Sequence, residues 1–289
     1  MKIKKGWYVL FVLPIMIPFV VTVIIPFFQG IAFSFVEWDG MSKSAKIFVG
    51  LQNFIDVFKD TRFMTSMGST TLFTVITVVL VNVFALAFAV WVTSEIKFKN
   101  PGRAMLFMPY LIGGLILGYV WKYVLGQGMT LLAENTGNTT LFFNWLSDPK
   151  FAFIAMIVVA TWQMAGYMMV IYVAGLEAIS GDVLEAAQID GATGWEEFIH
   201  IKLPLLMPSI TICLFLTLSN CFKIYDVNVS LTGGGPANAT EMISLNIFNE
   251  IFVQSHFGLG QAKAIVFFAI VAVITFLQVR FTSKREVEI

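Results

Sequence analysis

The sequence predicts an all-α membrane protein with six transmembrane helices, and three observations predict it. Of its 289 residues 58% are apolar and only 12% charged, whereas soluble domains are about 45–50% apolar. The apolar residues collect into runs near the roughly 20 residues a helix needs to cross a bilayer core about 30 Å thick. Lys and Arg total 18, as do Asp and Glu, so no net field recruits nucleic acid, and the expected surroundings are a lipid bilayer.

The first run, 7–28, follows the basic residues Lys2, Lys4 and Lys5. A cleavable signal core has about 7–15 apolar residues and ends at a small-residue cleavage site, so this longer run reads as an uncleaved anchor. Further runs at 70–92, 104–125, 151–175, 205–222 and 264–281 complete a single membrane domain, 1–289, whose termini share one side. Lys2, Lys4, Lys5, Lys97, Lys99, Arg103, Lys202, Arg280, Lys284 and Arg285 fall on that side. The opposite loops hold half as many, Lys43, Lys46, Lys59, Arg62 and Lys150. By the positive-inside rule both termini are expected in the cytoplasm.

One loop on that side, 177–204, is acidic: Glu177, Asp182, Glu185, Asp190, Glu196 and Glu197 face a lone Lys202. Ser180 is expected to cap a short helix from about Asp182 to Asp190, and Gly191 to end it. Thr193-Gly194-Trp195-Glu196 is a capping-box pattern that starts a second short helix through about Ile201. Val183, Ala186, Ala187, Ile189, Trp195, Phe198 and Ile199 give the pair an apolar side. Anionic lipid attracts Lys and Arg and repels such a loop, so a groove on a protein partner is the better match.

The spacing Glu185-Ala186-Ala187, three residues, Gly191, nine residues, Ile201-x-Leu203-Pro204 resembles the cytoplasmic loop of the inner-membrane permeases of ATP-binding-cassette (ABC) importers. The resemblance implies a type I ABC importer transmembrane-domain fold in the bacterial inner membrane. It also implies that Glu185, Ala186, Ala187, Gly191, Ile201, Leu203 and Pro204 form the coupling helix that seats in a cleft of an ATPase subunit. Leu231-Thr232-Gly233-Gly234-Gly235-Pro236 and Phe48-Val49-Gly50-Leu51-Gln52-Asn53-Phe54 are similar to segments of carbohydrate permeases of the maltose-permease and glycerol-3-phosphate-permease type. That likeness implies a second, homologous permease, an ATPase dimer and an external or periplasmic solute-binding protein. The function implied is half of the translocation pathway for a sugar or oligosaccharide; glycerol-3-phosphate or another small solute is the alternative.

The chain has no Gly-x-x-x-x-Gly-Lys-Ser/Thr phosphate loop, so no cofactor is expected on it, and ATP and Mg are expected on the partner ATPase. Gly233, Gly234, Gly235 and Pro236 form either a plain flexible connection or a contact for the solute-binding protein. Cys213 and Cys221 lie two turns apart on one run, beyond disulfide reach, and His200 and His256 belong to no metal-ligand pattern. An ion-coupled secondary transporter would place Asp, Glu or His within the spans, and none of the six runs contains one. A membrane-embedded enzyme would need convergent catalytic residues, and none is found.

Polar groups inside apolar runs are costly unless they meet a partner, water or a ligand. Asn82, Gln163 and Asn220 are therefore substrate-pathway candidates, with Tyr119, Trp162 and Tyr225 as rings on which a saccharide stacks. Helix-to-helix hydrogen bonding and an aromatic interface belt are the competing roles for these residue types. Asn220 stands first, beside Ser219 in the span that continues from the acidic loop.

Overall fold

The computed structural model describes residues 5–94, 99–139 and 142–284. Lys2, Lys4, Lys97 and Arg285, used above to orient the chain, lie outside them. Helix α1 (Lys5–Phe19) passes through a π-helical stretch, Val20–Ile24, into α2 (Ile25–Phe33). The wide turn lies just before Pro26, which cannot donate to the carbonyl four residues back and crowds it. A two-stranded antiparallel ribbon, β1 (Val36–Glu37) and β2 (Ile47–Phe48), leads to α3 (Gln52–Lys59) and α4 (Thr61–Thr93). There follow α5 (Lys99–Leu111), α6 (Gly114–Tyr123), α7 (Met129–Thr136) and α8 (Pro149–Glu177). The rest of the chain forms α9 (Gly181–Ile189), α10 (Gly194–Glu197), α11 (Leu203–Leu205), α12 (Met207–Phe222), α13 (Ile243–Phe248) and α14 (Phe257–Ser283).

Among the described residues, 4 helices are long and apolar enough to cross a membrane: Phe11–Phe33, α4, α8 and α14. Two bent pairs, Lys99–Leu111 with Gly114–Thr136 at 96° and Gly194–Leu205 with Met207–Phe222 at 67°, bring the number to 6 if each pair is one span. The run at 104–125 therefore contains a sharp corner. Gly113 leaves helical geometry there (φ −58°, ψ 138°), and a side chain on Gly114 would lie 2.8 Å from Cβ of Asp226, so only glycine permits this approach.

The chain divides into two compact units, Met1–Met64 with Asn246–Ala269, and Thr65–Leu245 with Ile270–Ile289. In the first, Asn53 donates to the carbonyls of Ser34 (2.9 Å) and Val36 (3.1 Å), which fastens α3 to the ribbon. Beside these elements lies an ion cluster. Lys263 of α14 is fully buried, and its ammonium meets Asp60 at 2.6 Å and Glu250 at 2.5 Å. The other oxygen of Glu250 meets Nδ1 of His256 at 2.7 Å. Ionisable groups thus sit against a span although no expected run contains an acid: Asp60 and Glu250 arrive from flanking turns. Asp60 also accepts from the backbone N–H of Arg62 and Phe63 at the start of α4. Burial alone would raise its carboxyl, but Lys263 and those N–H groups outweigh burial and hold it below its ordinary value.

The second unit is built around α8, whose buried face includes Met156, Ala160, Met168, Met169 and Tyr172. Asp148 caps it by accepting from the N–H of Lys150 and Phe151. A side chain at Gly166 would run into the carbonyl of Leu106, so α5 and α8 touch backbone to backbone. Cys213 and Cys221 are both buried and free on α12.

Candidate functional site: a capped loop and a polar cavity

Loop 177–204 lies wholly in the second unit. Ser180 occupies the cap position of α9 in extended conformation, but its side chain makes no capping hydrogen bond. That expectation is corrected: the N–H of Val183 binds the carbonyl of Ser180 instead, at 3.2 Å. At the other end Gly191 takes φ +83°. Its N–H reaches the carbonyl of Gln188 (3.1 Å) and that of Ala192 reaches Ala187 (3.0 Å), a complete Schellman ending. Nothing lies within 4 Å of where a Cβ on Gly191 would stand. The glycine is required by its backbone conformation, and the space around it is open.

The capping box at α10 is formed. Thr193 N–H donates to Oε2 of Glu196 at 2.8 Å, and Glu196 N–H to Oγ1 of Thr193 at 3.4 Å. From α10 the chain runs through a π-helical turn, Phe198–Lys202, which carries Ile201, into α11, which carries Leu203 and Pro204. Glu197 turns inward and is buried on Lys202 at 2.6 Å. The sequence marks it only as one of the six acids of the loop, and its five-residue spacing from Lys202 gives no helix-face signal. The large apolar side chains do the reverse: Ile189 is 86% and Trp195 72% exposed. Ala187 is buried beneath α9, while Glu185 and Ala186 are exposed. The loop therefore exposes large apolar side chains together with the acids Asp182, Glu185, Asp190 and Glu196, a mixture found at protein interfaces.

A polar cavity of about 290 Å³ opens where the bend between α5 and α6 meets the end of α12. Gln163, Asn220 and Tyr225 line it together with Tyr110, Lys223 and Asp226. Nε2 of Gln163 donates to the carbonyl of Ile112 at 3.1 Å, which ties α8 to the bend. Asn220 is exposed to the cavity, and Tyr110 stacks on Tyr167 with ring centroids 4.3 Å apart. Asn82, Tyr119 and Trp162 are not among its lining residues. Asn82 accepts from the Tyr172 hydroxyl (2.7 Å) and donates to the carbonyl of Val78 (2.8 Å), linking α4 to α8. Trp162 packs edge-on against Trp121 and lines a separate apolar cavity, and Tyr119 is 60% exposed on α6. Tyr110 was not foreseen: inside an apolar run nothing marks it, and the bend alone brings it to the cavity.

The glycine-rich segment is braced. Gly233 and Gly234 take φ +60° and +84°, and Thr240 Oγ1 donates to the carbonyl of Gly235 at 2.6 Å. Asn228, fully buried, donates to the carbonyl of Thr240 (2.7 Å) and accepts from the N–H of Met242 (3.1 Å). The peptide before Pro236 is cis. Gly233, Ala237 and Asn238 remain exposed at the tip.

A helical membrane chain with a capped, exposed loop and a polar cavity at a bend between helices belongs to the class of membrane permeases. More narrowly, the chain belongs to the family of binding-protein-dependent transport system inner membrane components, whose model matches residues 102–287. It is 42% identical over 286 residues to the probable starch degradation products transport system permease protein AmyD of Thermoanaerobacterium thermosulfurigenes, covering 99% of this chain and 97% of that protein. It is 31% identical to the multiple sugar-binding transport system permease protein MsmF of Streptococcus mutans, covering 99% and 98% of the two chains. Its fold matches a chain of the bacterial ABC transporter that imports the acidic polysaccharide alginate, with a TM-score of 0.81, 19% identity and 98% and 97% of the two chains covered.

Proposed function

We propose that this permease forms half of the path by which a sugar or oligosaccharide, handed over by an external solute-binding protein, crosses the bacterial inner membrane. A second permease forms the other half. ATP and Mg act on a separate ATPase dimer, which grips the 177–204 loop through Glu185, Ala186, Ala187, Gly191, Ile201, Leu203 and Pro204. The observation that carries the sugar reading is the cavity in which Gln163, Asn220 and Tyr225 converge beside stacked tyrosines. Amides satisfy hydroxyl groups, ring faces cover the apolar side of a pyranose, and the Lys223 and Asp226 charges balance, which suits a neutral ligand. The names of the two sugar-system relatives support the same reading. Gly233, Gly234, Gly235 and Pro236, held in shape by Asn228 and Thr240, contact the binding protein.

The test is uptake by proteoliposomes of the complete transporter, with labelled maltotriose and labelled sn-glycerol-3-phosphate offered separately. Maltotriose entry that requires internal ATP and the binding protein is the expected result, and Asn220→Ala weakens it while basal ATP hydrolysis persists. Entry driven by a proton gradient without ATP, or entry of the phosphate ester alone, contradicts the proposal.

A further inference from the structure

At the root of loop 177–204 one basic side chain bridges three helix ends. Arg103, in the first turns of α5, places Nη2 2.6 Å from Oε1 of Glu177, the last residue of α8. The same nitrogen lies 3.4 Å from the carbonyl of Val92, in the last turn of α4. A helix end leaves such carbonyls without an intrahelical partner, and a cation there also meets the negative pole of the helix. Arg103 thus joins three helix ends, those of α4, α5 and α8, with Glu177 three residues before the α9 cap at Ser180.

The packing around it is close on one side and open on the other. A Cβ on Gly102 would lie 2.9 Å from the Trp91 ring, so the α4 and α5 ends abut. Between the last turns of α4 and the second piece of the loop lies a cavity of about 720 Å³, bordered by Val90, Trp195 and Phe198. The second half of the loop thus faces α4 across a cavity, whereas the Glu177 end is linked to it through Arg103. The pair is partly solvated, with side chains 33% and 55% exposed, and such exposed pairs add little to stability. Stability is too small a return to account for a pair that spans three helix ends.

We infer that Arg103 is a positioning residue, and that its ion pair with Glu177 carries displacement of loop 177–204 to the corner where α4 meets α5. This rests on reading the loop as the element an ATPase moves. Pulling on α9 draws the end of α8, and the guanidinium, which presents a planar fork of donors, draws the Val92 carbonyl and the start of α5 with it. Without the pair, the loop moves and the corner stays.

The assembled transporter in nanodiscs, with spin labels placed two at a time, tests this by pulsed electron paramagnetic resonance. Exposed positions Gln188 in the loop, Asn100 at the corner and Lys150 at the far end of α8 take the labels, and ATP-Mg is the only addition. In the parent, both the Gln188–Lys150 and Asn100–Lys150 distances are expected to change on ATP binding by at least about 1–2 Å, the size of a helix shift at an interface. In R103Q, R103E and E177R the first change persists and the second is lost. The charge-swapped R103E/E177R protein regains it. A corner that follows the loop in the single variants overturns the inference, and so does a swapped protein that behaves as the singles do. If the loop does not move in the parent, the coupling reading itself falls, a signature distinct from either of those outcomes.

Discussion

Replacing Lys263 by Met removes the one cation buried between Asp60 and Glu250 while keeping the length of the side chain. The three groups carry a net charge of minus one, and Lys263 is fully buried with Glu250 side chain only 6% exposed. Deleting one partner of such a cluster leaves an uncompensated buried charge, which costs about 3–5 kcal/mol. Total stabilities are typically about 5–15 kcal/mol, so the loss is a large fraction. At about 2–4 °C per kcal/mol for large domains, K263M is expected to lower the melting temperature by roughly 6–20 °C. Differential scanning fluorimetry of the purified permease in detergent measures it. Neutralising all three, in K263M/D60N/E250Q, removes the stranded charges and recovers most of the loss, because well-packed neutral replacements of buried ion pairs are often neutral or stabilising. A triple variant as unstable as K263M refutes the argument from charge, and a K263M protein that melts like the parent refutes the burial argument altogether.

Three further outcomes follow from the geometry. Gly191→Val forces a β-branched residue to φ +83°, costing about 1–3 kcal/mol locally; because α9 then loses its ending, the ATPase should no longer copurify with the permease while membrane insertion continues. Thr193→Ala removes the capping box and costs about 0.5–2 kcal/mol, seen as faster hydrogen exchange confined to residues 193–202, whereas Thr193→Ser keeps the protection. Asp60 has its carboxyl held below the ordinary 3.8. Its stabilising effect is therefore complete above that pH and lost as pH falls below it, so melting temperature should drop on acidification through the region under about pH 4, with a smaller drop from this source in D60N.

Much of the loop was legible because its signals are local. Gly191 and the Thr193–Glu196 box announce themselves by residue type, and both form as the sequence predicts. Apolar runs likewise mark where α4, α8 and α14 lie. What the sequence hid depends on pairing across distance. Arg103 and Glu177 are 74 positions apart, and Asp60 and Lys263 meet from opposite parts of the chain. The 96° bend within the third run falls at Gly113, where the backbone leaves helical geometry and Gly114 closely approaches Asp226, which no hydropathy pattern encodes. The bend is also what gathers Tyr110, Gln163 and Asn220 around one cavity, so a list of polar residues in apolar runs held true candidates for lining it without saying which of them meet. Ser180 shows the opposite error: a good capping residue in the cap position whose hydroxyl does not cap.

The central claim is that an ATPase seats on loop 177–204. Ile189 is the sharpest reporter, since it is 86% exposed on α9 and belongs to the apolar face that the proposed ATPase contact would cover. In an Ile189→Cys permease, whose native cysteines are buried, the rate of maleimide labelling is to be compared with and without the assembled ATPase dimer. The account predicts a fall of at least tenfold on assembly, with labelling of a cysteine placed at Lys150 unchanged. Equal labelling of Ile189→Cys in the free and assembled permease would contradict it.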